Sequence, residues 1–494
     1  LGKINTITLQ QPALDAARLG WFRFGMIGEK VVLTNDAGEW AMLEKPAFDH
    51  LLAGTLEEDH PQHGHLRRLG MIRDGVDLDG LADRIRRKRS YLGKGPHLHV
   101  VVTTLRCNQS CRYCHASRVP MTRTDTDMSV ETARLVAERA MASTSPTITF
   151  EFQGGEPTLN KPAIQAIMDR SRELAAESKK QVVFSLVSNL TMMTTETAEW
   201  LIENDVLLCT SLDGPKDLHD ANRPLTGGGP VYDDVMRWMK WFNERYIEMG
   251  RDPNYWHVDA LMTTTRQTLS RWREVVDLYV DLGIKNIHLR PLNPYGFATN
   301  RWKEIGYSVE QYLDCYLQAL DYMIELNLQG KHVMEGTAAT ILQKMLTPDD
   351  PNFVDIRSPC GAGTGQVAYD HDGGIFPCDE ARMIAAQGDR MFHLGNLPDT
   401  DMNAVVNHPT IKALAVASLN DALPGCSSCW NAPFCGVCPM HAYSLEGDIF
   451  GQRTTSSLCK SYLAISTRLM ELLADDDNRR IEGVLQRWTV RRSI

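Results

Sequence analysis

The string LRCNQSCRYCHAS, Leu105 to Ser117, decides how this chain is interpreted. Its cysteines, Cys107, Cys111 and Cys114, are spaced C-x3-C-x2-C and follow an apolar run that predicts a buried strand. Four-iron clusters are normally held by four thiolates. Three thiolates therefore leave one iron free to bind a small chelating molecule. The spacing alone leaves a zinc site or three unrelated thiols open as alternatives.

The composition narrows the class of protein. The chain has 494 residues, of which 43% are hydrophobic and 23% are charged, as in a globular protein of two or three domains. No stretch approaches the ~18 uninterrupted apolar residues that a membrane span needs. The first residues lack the pattern of a signal peptide. The net charge of -10 gives no support to a nucleic-acid partner. We therefore expect a cytoplasmic protein with neither a membrane nor a nucleic-acid partner.

The twelve cysteines are unevenly spread along the chain. Three lie in the first motif and seven lie between Cys360 and Cys459, whereas Cys209 and Cys315 stand alone in apolar patterns typical of core positions. Without an export signal, this distribution favours metal or redox chemistry in a reducing compartment over disulfides.

The N-terminal part predicts a small module of its own. From about Trp21 to Ile72, short apolar runs separated by turns predict a meander of strands, and two short helices accompany them. A plain structural extension is the alternative to a binding module. The basic tract Arg84 to Arg89 predicts a solvated helix end or linker rather than a binding patch.

Six apolar runs alternate with helical patterns from His97 to about Pro294. Alternating βα units predict an α/β fold with a parallel sheet and right-handed crossovers. Six units are too few for an eight-stranded barrel, but they suit an open, partial one. The predicted strands are residues 97–105, 147–152, 182–188, 206–212, 257–263 and 286–292.

Polar residues follow every predicted strand, where ligands gather in parallel α/β folds. The first strand ends in the cysteine triad. The other ends carry Gln153-Gly154-Gly155-Glu156-Pro157, Ser188-Asn189, Asp213-Gly214, Thr263 to Thr265, and Arg290-Pro291.

The cysteine triad with a GGEP motif one βα unit later resembles the radical S-adenosylmethionine (SAM) superfamily. The resemblance implies a partial (β/α)6 barrel and a [4Fe-4S] cluster on Cys107, Cys111 and Cys114, whose open iron chelates SAM. In that family, SAM is split to a 5'-deoxyadenosyl radical that takes a hydrogen from the substrate. The implied SAM contacts are Tyr113, Gln153, Gly154, Gly155, Glu156, Pro157, Ser188, Asn189, Asp213, Arg223 and Arg290. Arg223 would pair with the SAM carboxylate, and a simple turn is the alternative role of Asp213.

The seven C-terminal cysteines resemble the SPASM extension of radical SAM enzymes, which holds two further [4Fe-4S] clusters. The resemblance implies that the nearer auxiliary cluster is held by Cys360, Cys378 and Cys438, and the outer one by Cys426, Cys429, Cys435 and Cys459. Structural zinc is the rival interpretation. No eighth cysteine follows near Cys360. The nearer cluster would thus have an open iron, a substrate group, or a non-cysteine ligand such as His371 or Asp379.

Asp379 directly follows Cys378, a pair that also occurs in sulfatase maturases, where the aspartate is the base. The resemblance makes Asp379 the candidate base, with Glu380 as the fallback. A hydrogen-bonding surface role is the alternative.

Over its whole length the chain resembles SPASM peptide maturases, especially those of His-Xaa-Ser-type peptide systems. The shared strings are LTNDAGEW, LRCNQSC, FQGGEP, SLDGPKDLHDANRP, RPLNPYGFA and DEARM. The resemblance implies an oxidative side-chain cross-link in a ribosomal precursor peptide, whose leader adds a strand to a winged-helix-like module. It also implies an electron donor such as flavodoxin or ferredoxin. A sulfatase-type formylglycine maturase and a non-catalytic iron–sulfur or zinc protein for electron transfer or scaffolding are the alternatives.

The expected domains follow from these assignments. They are a leader-recognition-like module with its linker (1–92), a partial barrel (93–305), a helical bridge (306–358), and a cysteine-rich SPASM domain with a C-terminal helix (359–494).

Overall fold

The computed structural model describes residues 14–474 and 479–490. The two ends of the expected first and last domains, 1–13 and 491–494, lie outside these ranges, as do residues 475–478. A three-stranded antiparallel sheet comes first, in the order β1 (Arg23–Ile27), β2 (Lys30–Thr34) and β3 (Trp40–Glu44). The helices α1 (Lys45–Leu52), α2 (His63–Arg68) and α3 (Leu78–Lys88) follow. The predicted strand meander and its two short helices are confirmed.

The central sheet contains five consecutive parallel strands. They are β4 (Leu98–Thr104), β5 (Thr147–Gly154), β6 (Gln181–Ser188), β7 (Val206–Ser211) and β8 (Val258–Leu261). The connecting helices are α4 (Val130–Met141), α5 (Lys161–Ser178), α6 (Thr195–Glu203), α7 (Lys216–Asn222) and α8 (Tyr232–Glu248). The alternation of strands and helices that the sequence predicts is therefore confirmed for these units.

The predicted sixth strand is wrong in its length and its place. After α9 (Arg266–Leu269) and α10 (Trp272–Asp281), only β9 (Asn286–Ile287) forms, and it pairs with β10 (Met334–Glu335) rather than with β8. The rest of the apolar run meets Pro291 and Pro294, which cannot donate a backbone hydrogen bond. The sixth parallel strand of the main sheet comes instead from β11 (Gln366–Tyr369), which pairs with β4.

The C-terminal third joins the same sheet. The strands β12 (Gly374–Phe376) and β13 (Gly395–Asn396) extend it in the order β13-β12-β11-β4-β5-β6-β7-β8. The remaining helices are α11 (Phe297–Ile305), α12 (Val309–Leu328), α13 (Gly336–Leu346), α14 (Asp379–Ala386), α15 (Met402–Asn407), α16 (Pro409–Ala417), α17 (Pro439–Glu446), α18 (Ser457–Leu473) and α19 (Arg479–Trp488). Among the described helices, none is long and apolar enough to cross a membrane.

The two faces of the sheet differ in polarity. Successive strand residues point to opposite faces, and registered partners of neighbouring strands share a face. One face forms the core with the helices, through Phe150, Phe152, Phe184, Leu186 and Leu208. The other face carries the half-buried side chains of Glu151, Ser185, Cys209 and Asp259. A polar sheet face inside the fold marks a place for chemistry rather than packing.

Candidate active site

The three cysteines of the first motif lie in the loop that follows β4. Cys107 is buried, and Cys111 and Cys114 are half-buried. The Cys107 sulfur accepts hydrogen bonds from the Gln109 backbone N–H at 3.4 Å and from the Asn189 amide at 3.6 Å. Such bonds stabilise negative charge on a sulfur ligand. The Gln109 N–H therefore favours a thiolate at Cys107, against the burial that raises the pKa of this thiol.

Two glycines at the end of β5 allow the cysteine loop to approach closely. The Gly155 and Glu156 backbone N–H groups donate to the carbonyls of Thr104 and Arg106 at 2.8 and 2.7 Å. A Cβ on Gly154 would lie 2.1 Å from the Thr104 carbonyl oxygen, and one on Gly155 would lie 2.2 Å from that of Arg106. Gly154 also has φ of +138°, which disfavours any other residue. These glycines are therefore required to brace the cysteine loop.

The Glu156 carboxylate connects the ends of β5 and β6. It is fully buried and accepts hydrogen bonds from the Ser188 hydroxyl at 2.9 Å, the Asn189 backbone N–H at 2.8 Å and the Thr158 hydroxyl at 2.7 Å. Burial raises the pKa of Glu156, and the Thr158 hydroxyl opposes this shift. The buried Pro157 begins the turn that follows. Sequence-predicted SAM contacts on two strands thus form one hydrogen-bonded unit.

A second unit forms around Asp213, just after β7. Its Oδ2 accepts from the Tyr113 phenol at 2.5 Å and from the Arg223 guanidinium at 3.1 Å, and its Oδ1 accepts from the Thr263 N–H at 3.2 Å. The guanidinium also lies 5.0 Å from the centre of the Tyr113 ring. Asp213 is fully buried, so it does more than end a strand. Burial raises the pKa of the Cys111 thiol to about 12, and the nearby Arg223 charge opposes the shift.

The C-terminal cysteines gather into two sets. Burial raises the pKa of Cys360 to about 11 and also raises those of Cys378 and Cys438, and the Cys360 charge adds to the shifts of the other two. Burial likewise raises the pKa of Cys435, with added contributions from Cys459, Cys429 and Cys426. The structure therefore brings together the same two groups that the sequence comparison with SPASM proteins implies; their role as cluster ligands stays a prediction.

All twelve cysteines are free thiols. Within residues 14–474 and 479–490, no group of three or more His, Cys, Asp or Glu side chains is arranged around a site for a single metal ion.

Comparison with known proteins identifies the central part of the chain. Residues 101–251 match the Radical SAM superfamily. This radical SAM region runs from β4 through the cysteine loop and the GGEP motif to the end of α8.

Relatives and solved structures are similar over most of the chain. The cysteine-type anaerobic sulfatase-maturating enzyme of Clostridium perfringens is 25% identical over 324 residues, which is 62% of this chain and 80% of that protein. The structure of native anSMEcpe with bound AdoMet superposes with a TM-score of 0.62 at 20% identity, covering 79% of this chain and 99% of the other. Streptococcus suis SuiB bound to precursor peptide SuiA gives 0.52 at 17% identity, covering 90% and 100%. The structural likeness shows the radical SAM α/β fold.

The superfamily implies one [4Fe-4S] cluster and SAM, and the residues present fit both. The three thiols of the radical SAM region are free, and two hydrogen-bond donors point at the Cys107 sulfur. The polar groups of this region are the carboxylates of Glu156 and Asp213, the amide of Asn189 and the guanidinium of Arg223. The three thiols suit iron, and the polar groups suit the amino, carboxylate and ribose groups of SAM.

One loop links the radical SAM cysteines to the C-terminal cysteines. The Phe297 N–H donates to the Cys114 carbonyl at 2.9 Å, and a Cβ on Gly296 would lie 2.3 Å from that oxygen. The next residue back, Tyr295, is buried, and the charges of Cys438, Glu380 and Cys378 help burial to raise its pKa. The loop therefore spans the space between the two sites.

Four side chains influence one another's ionisation, and we call them the polar cluster: Glu151, Arg290, Asp355 and Glu380. The Asp355 carboxyl is solvent-accessible, yet the surrounding protein raises its pKa and the Arg290 charge opposes the shift. Burial also raises the pKa of Glu151, where Arg290 and Asp355 are among the nearby charges. Arg290, a predicted SAM contact, belongs to this cluster, and its role as a SAM contact stays a prediction.

Sequence reasoning missed Glu151 and Asp355. The one available signal was a charged residue inside the apolar run of β5, because strand alternation then places Glu151 on the face opposite Phe150 and Phe152. Asp355 lies in a loop between α13 and β11, so only the tertiary fold brings it near Glu151 and Arg290.

The two candidate bases differ in their surroundings. The Asp379 carboxylate accepts a 2.7 Å hydrogen bond from Arg382, whose side chain is fully buried. Burial raises the pKa of Glu380 to about 7, with the charges of Asp355 and Asp379 adding to the shift. His371, a suggested ligand of the nearer cluster, instead makes a 3.0 Å contact with Asp370.

A separate cavity of about 870 Å³ borders the free edge of β3. Its walls include residues of β3, α3 and the end of α13. The basic tract forms the C-terminal end of α3, as the helix-end alternative predicts. Three of its side chains also pair with acidic residues: Arg84 with Glu39 at 3.0 Å, Arg87 with Asp349 at 2.6 Å, and Arg89 with Asp421 at 2.6 Å. We call this cavity the β3 groove.

Proposed function

We propose that this protein is a radical SAM/SPASM maturase that oxidatively cross-links side chains of a ribosomally made precursor peptide. The observation that carries the proposal is the hydrogen-bonded loop that holds Cys107, Cys111 and Cys114, together with the seven C-terminal cysteines and the separate β3 groove. When bound, the first cluster and SAM supply a 5'-deoxyadenosyl radical that abstracts a hydrogen, and the two auxiliary clusters accept electrons.

The chain's own residues bind and orient the reactants in this proposal. Glu156 and Asn189 position the amino end of SAM through the hydrogen bonds that fix the GGEP loop. Arg223, anchored by Asp213, binds the SAM carboxylate. The reacting substrate carbon would lie beside the polar cluster.

The β3 groove is proposed to hold the leader of the peptide. β3 is an edge strand whose only strand partner among the described residues is β2. An extended peptide can therefore add to its free backbone groups. The groove floor includes the small side chains of Ala37, Ala41 and Ala47, which leave room for a strand. SuiB, a protein of the same fold, has been solved with its precursor peptide.

A carboxylate near the nearer cysteine set would take the proton released during oxidation. Asp379 and Glu380 both lie at the start of α14, beside that set. Asp379 accepts a hydrogen bond from Arg382, which fixes the orientation of its carboxylate. Glu380 remains the fallback.

The intact mass of a short peptide encoded beside the gene, co-expressed anaerobically with the protein, tests the proposal. We expect the peptide to lose two hydrogens and fragmentation to locate a new bond between two residues. A Cys111→Ala partner should leave the mass unchanged, whereas Cys315→Ala, which alters a buried thiol of α12, should not affect the reaction. An unmodified peptide with the wild-type protein would contradict the proposal.

The leader assignment has its own test. Ala47→Trp fills the groove, and Ala176→Trp adds the same side chain at an exposed position of α5. We expect the first variant to weaken binding of a fluorescent leader peptide at least tenfold and the second to leave it unchanged. Equal affinities of the two variants for the leader peptide would show that the leader does not bind in the β3 groove.

A sulfatase-type formylglycine maturase is the second candidate function. The Cys378-Asp379 pair favours it, as do the similar sulfatase-maturating enzymes. Incubation with a cysteine- or serine-containing sulfatase peptide separates the two: an aldehyde product supports this candidate, and its absence beside a cross-linked precursor peptide excludes it.

The proposed cofactor set is three [4Fe-4S] clusters with SAM, reduced by a flavodoxin or ferredoxin. Metal analysis should find about twelve irons per chain and no zinc, falling to about eight in Cys111→Ala. A non-catalytic iron–sulfur or zinc protein would instead produce no 5'-deoxyadenosine from SAM after reduction. The domain divisions at residues 92, 305 and 358 are part of the same proposal.

A further inference from the structure

A fully buried guanidinium lies on α14 with both of its terminal nitrogens unpartnered. The Arg382 side chain donates from Nε to Asp379 Oδ1 at 2.7 Å. Its two terminal nitrogens are buried as well, yet neither has a hydrogen-bond partner among the described residues. Each of the other described arginines with a buried, unpartnered nitrogen has only one such atom. Because buried donors without acceptors are costly and rare, the two nitrogens of Arg382 point to a ligand.

The same arrangement occurs at Arg223, which the proposed function assigns to the SAM carboxylate. The Nε of Arg223 donates to Asp213 Oδ2 at 3.1 Å, just as the Nε of Arg382 donates to Asp379. In both pairs the aspartate binds the guanidinium at Nε and leaves the edge formed by the two terminal nitrogens for a second acceptor. That edge matches the two oxygens of a carboxylate.

Strand pairing places α14 near the radical SAM cysteines. β11 pairs in parallel with β4, so the carboxyl ends of both strands lie at the edge of the sheet that carries the cysteine loop. An apolar cluster joins Ala381 of α14 and Tyr295 to residues of β4 and β11. Two residues after Tyr295, the Phe297 N–H donates to the Cys114 carbonyl at 2.9 Å. Arg382 therefore lies in the part of the fold where ligands of parallel α/β sheets bind.

The ion pair is closed at Arg382 and partly open at Asp379, since the two side chains are 1% and 12% exposed. A carboxylate that reaches the terminal nitrogens from this side would leave water almost completely, where charge-assisted hydrogen bonds are strongest. Asp370, which follows β11, is not the acceptor of these nitrogens. Its Oδ1 instead accepts from the His371 backbone N–H at 2.9 Å and contacts the His371 ring at 3.0 Å.

We propose that the two terminal nitrogens of Arg382 bind a carboxylate of the substrate peptide. The inference rests on the proposed function and deepens it, because it makes the substrate an acidic peptide with a carboxylate close to the reacting residue. An acidic side chain of the peptide or its C-terminus supplies this carboxylate. Arg382 then binds the substrate, and Asp379 orients the guanidinium from Nε.

Steady-state kinetics with the peptide encoded beside the gene test the site. Each acidic residue of the peptide is replaced in turn by its amide, and a further peptide carries an amidated C-terminus. These peptides are compared on the reconstituted wild-type protein, on Arg382→Gln and on Arg134→Gln, which alters an exposed arginine of α4. If Arg382→Gln does not retain the wild-type iron content, Arg382→Lys replaces it, because lysine keeps the buried charge without the planar fork.

With the wild type and Arg134→Gln, we expect one amide peptide to have a KM at least tenfold higher and an unchanged kcat. The position of that amide distinguishes a side chain from the C-terminus. With Arg382→Gln, the unaltered peptide should already have the high KM, and the amide should add nothing. The proposal would be overturned if all amide peptides kept the wild-type KM, or if the rise in KM were equally large in Arg382→Gln.

If no peptide is modified, the proposed function fails, and acetate then tests the carboxylate site separately. The protein is saturated with SAM so that Arg223 is occupied. Acetate should raise the melting temperature of the wild type above its value in acetamide at equal ionic strength, and it should not do so in Arg382→Gln. The same difference in both proteins, or none in either, would overturn the site.

Discussion

The Tyr113 phenol donates a 2.5 Å hydrogen bond to Asp213, which lies 100 residues further along the chain. The bond ties the cysteine loop after β4 to the end of β7, and Arg223 completes the unit by pairing with the same carboxylate oxygen. The cysteine loop is therefore held from two directions, by this unit and by the glycines that follow β5.

Asp213→Ala should be strongly destabilising. It leaves the Arg223 guanidinium buried without its counter-charge, a change that typically costs about 3–5 kcal/mol. Tyr113→Phe, which removes one hydrogen bond, should cost about 1 kcal/mol. Tyr443→Phe is the matched control, because its 2.6 Å bond to Asp389 lies in a more open setting. Thermal unfolding measures all three, and an Asp213→Ala melting temperature equal to that of Tyr443→Phe would contradict this account.

Gly154→Ala should displace the cysteine loop. The new methyl group would lie 2.1 Å from the Thr104 carbonyl oxygen, at a backbone conformation that alanine rarely adopts. We expect loss of about four irons per chain after reconstitution, since one cluster no longer assembles. Gly250→Ala is the control: Gly250 also has a positive φ, of 71°, but a Cβ there meets nothing within 4 Å. It should keep its iron.

Glu156→Ala should weaken SAM binding more than it disturbs cluster assembly. The substitution leaves the Ser188 hydroxyl and the Asn189 N–H without their acceptor, at about 1–3 kcal/mol for each buried group. We expect at least a tenfold rise in the Kd for SAM, measured by equilibrium binding to the reconstituted protein. Glu177→Ala, at an exposed position of α5, should leave the Kd unchanged. Equal Kd values for SAM in Glu156→Ala and Glu177→Ala would show that Glu156 does not contribute to SAM binding.

Glu335 should make stability fall as the pH rises. Its buried carboxyl accepts from the Ala338 N–H at 2.7 Å and from the Leu289 N–H at 3.2 Å, and contacts the Tyr316 phenol. Burial raises its pKa from 4.5 to about 7. The folded state therefore holds this proton more tightly, so its contribution is complete below pH 4.5 and is lost as the pH rises through about 7.

Glu335→Gln should flatten this pH dependence by about 2 kcal/mol between pH 5.5 and pH 8, because the amide stays neutral at every pH. Melting temperatures at pH 5.5 and pH 8 measure the effect. The exposed Glu325→Gln on α12 serves as the control and should keep the wild-type profile. An unchanged slope in Glu335→Gln would show that the carboxyl ionises freely in the folded protein.

Local patterns were sufficient for much of the fold. The strands β4 to β8 are four to eight residues long and are bounded by turns, so strand periodicity and length predict them directly. The cysteine spacing and the GGEP string likewise indicate the radical SAM region, because each motif is a short continuous segment of the chain. The prediction of a sixth strand at residues 286–292 was wrong, because strand pairing depends on which backbone lies alongside. Prolines that follow β9 cannot donate a backbone hydrogen bond, so the strand does not continue.

What the sequence by itself determined is the identity of the reactive groups: three thiols in one loop, seven near the C-terminus, and polar residues after each strand. Only the tertiary structure decided which of them meet. β11 pairs with β4 from more than 260 residues away in the chain, and that contact brings the segment that carries Cys378 and Glu380 to the sheet that carries Glu151. Long-range pairing is a property of the packed core, and no local pattern encodes the distance between two side chains that it brings together.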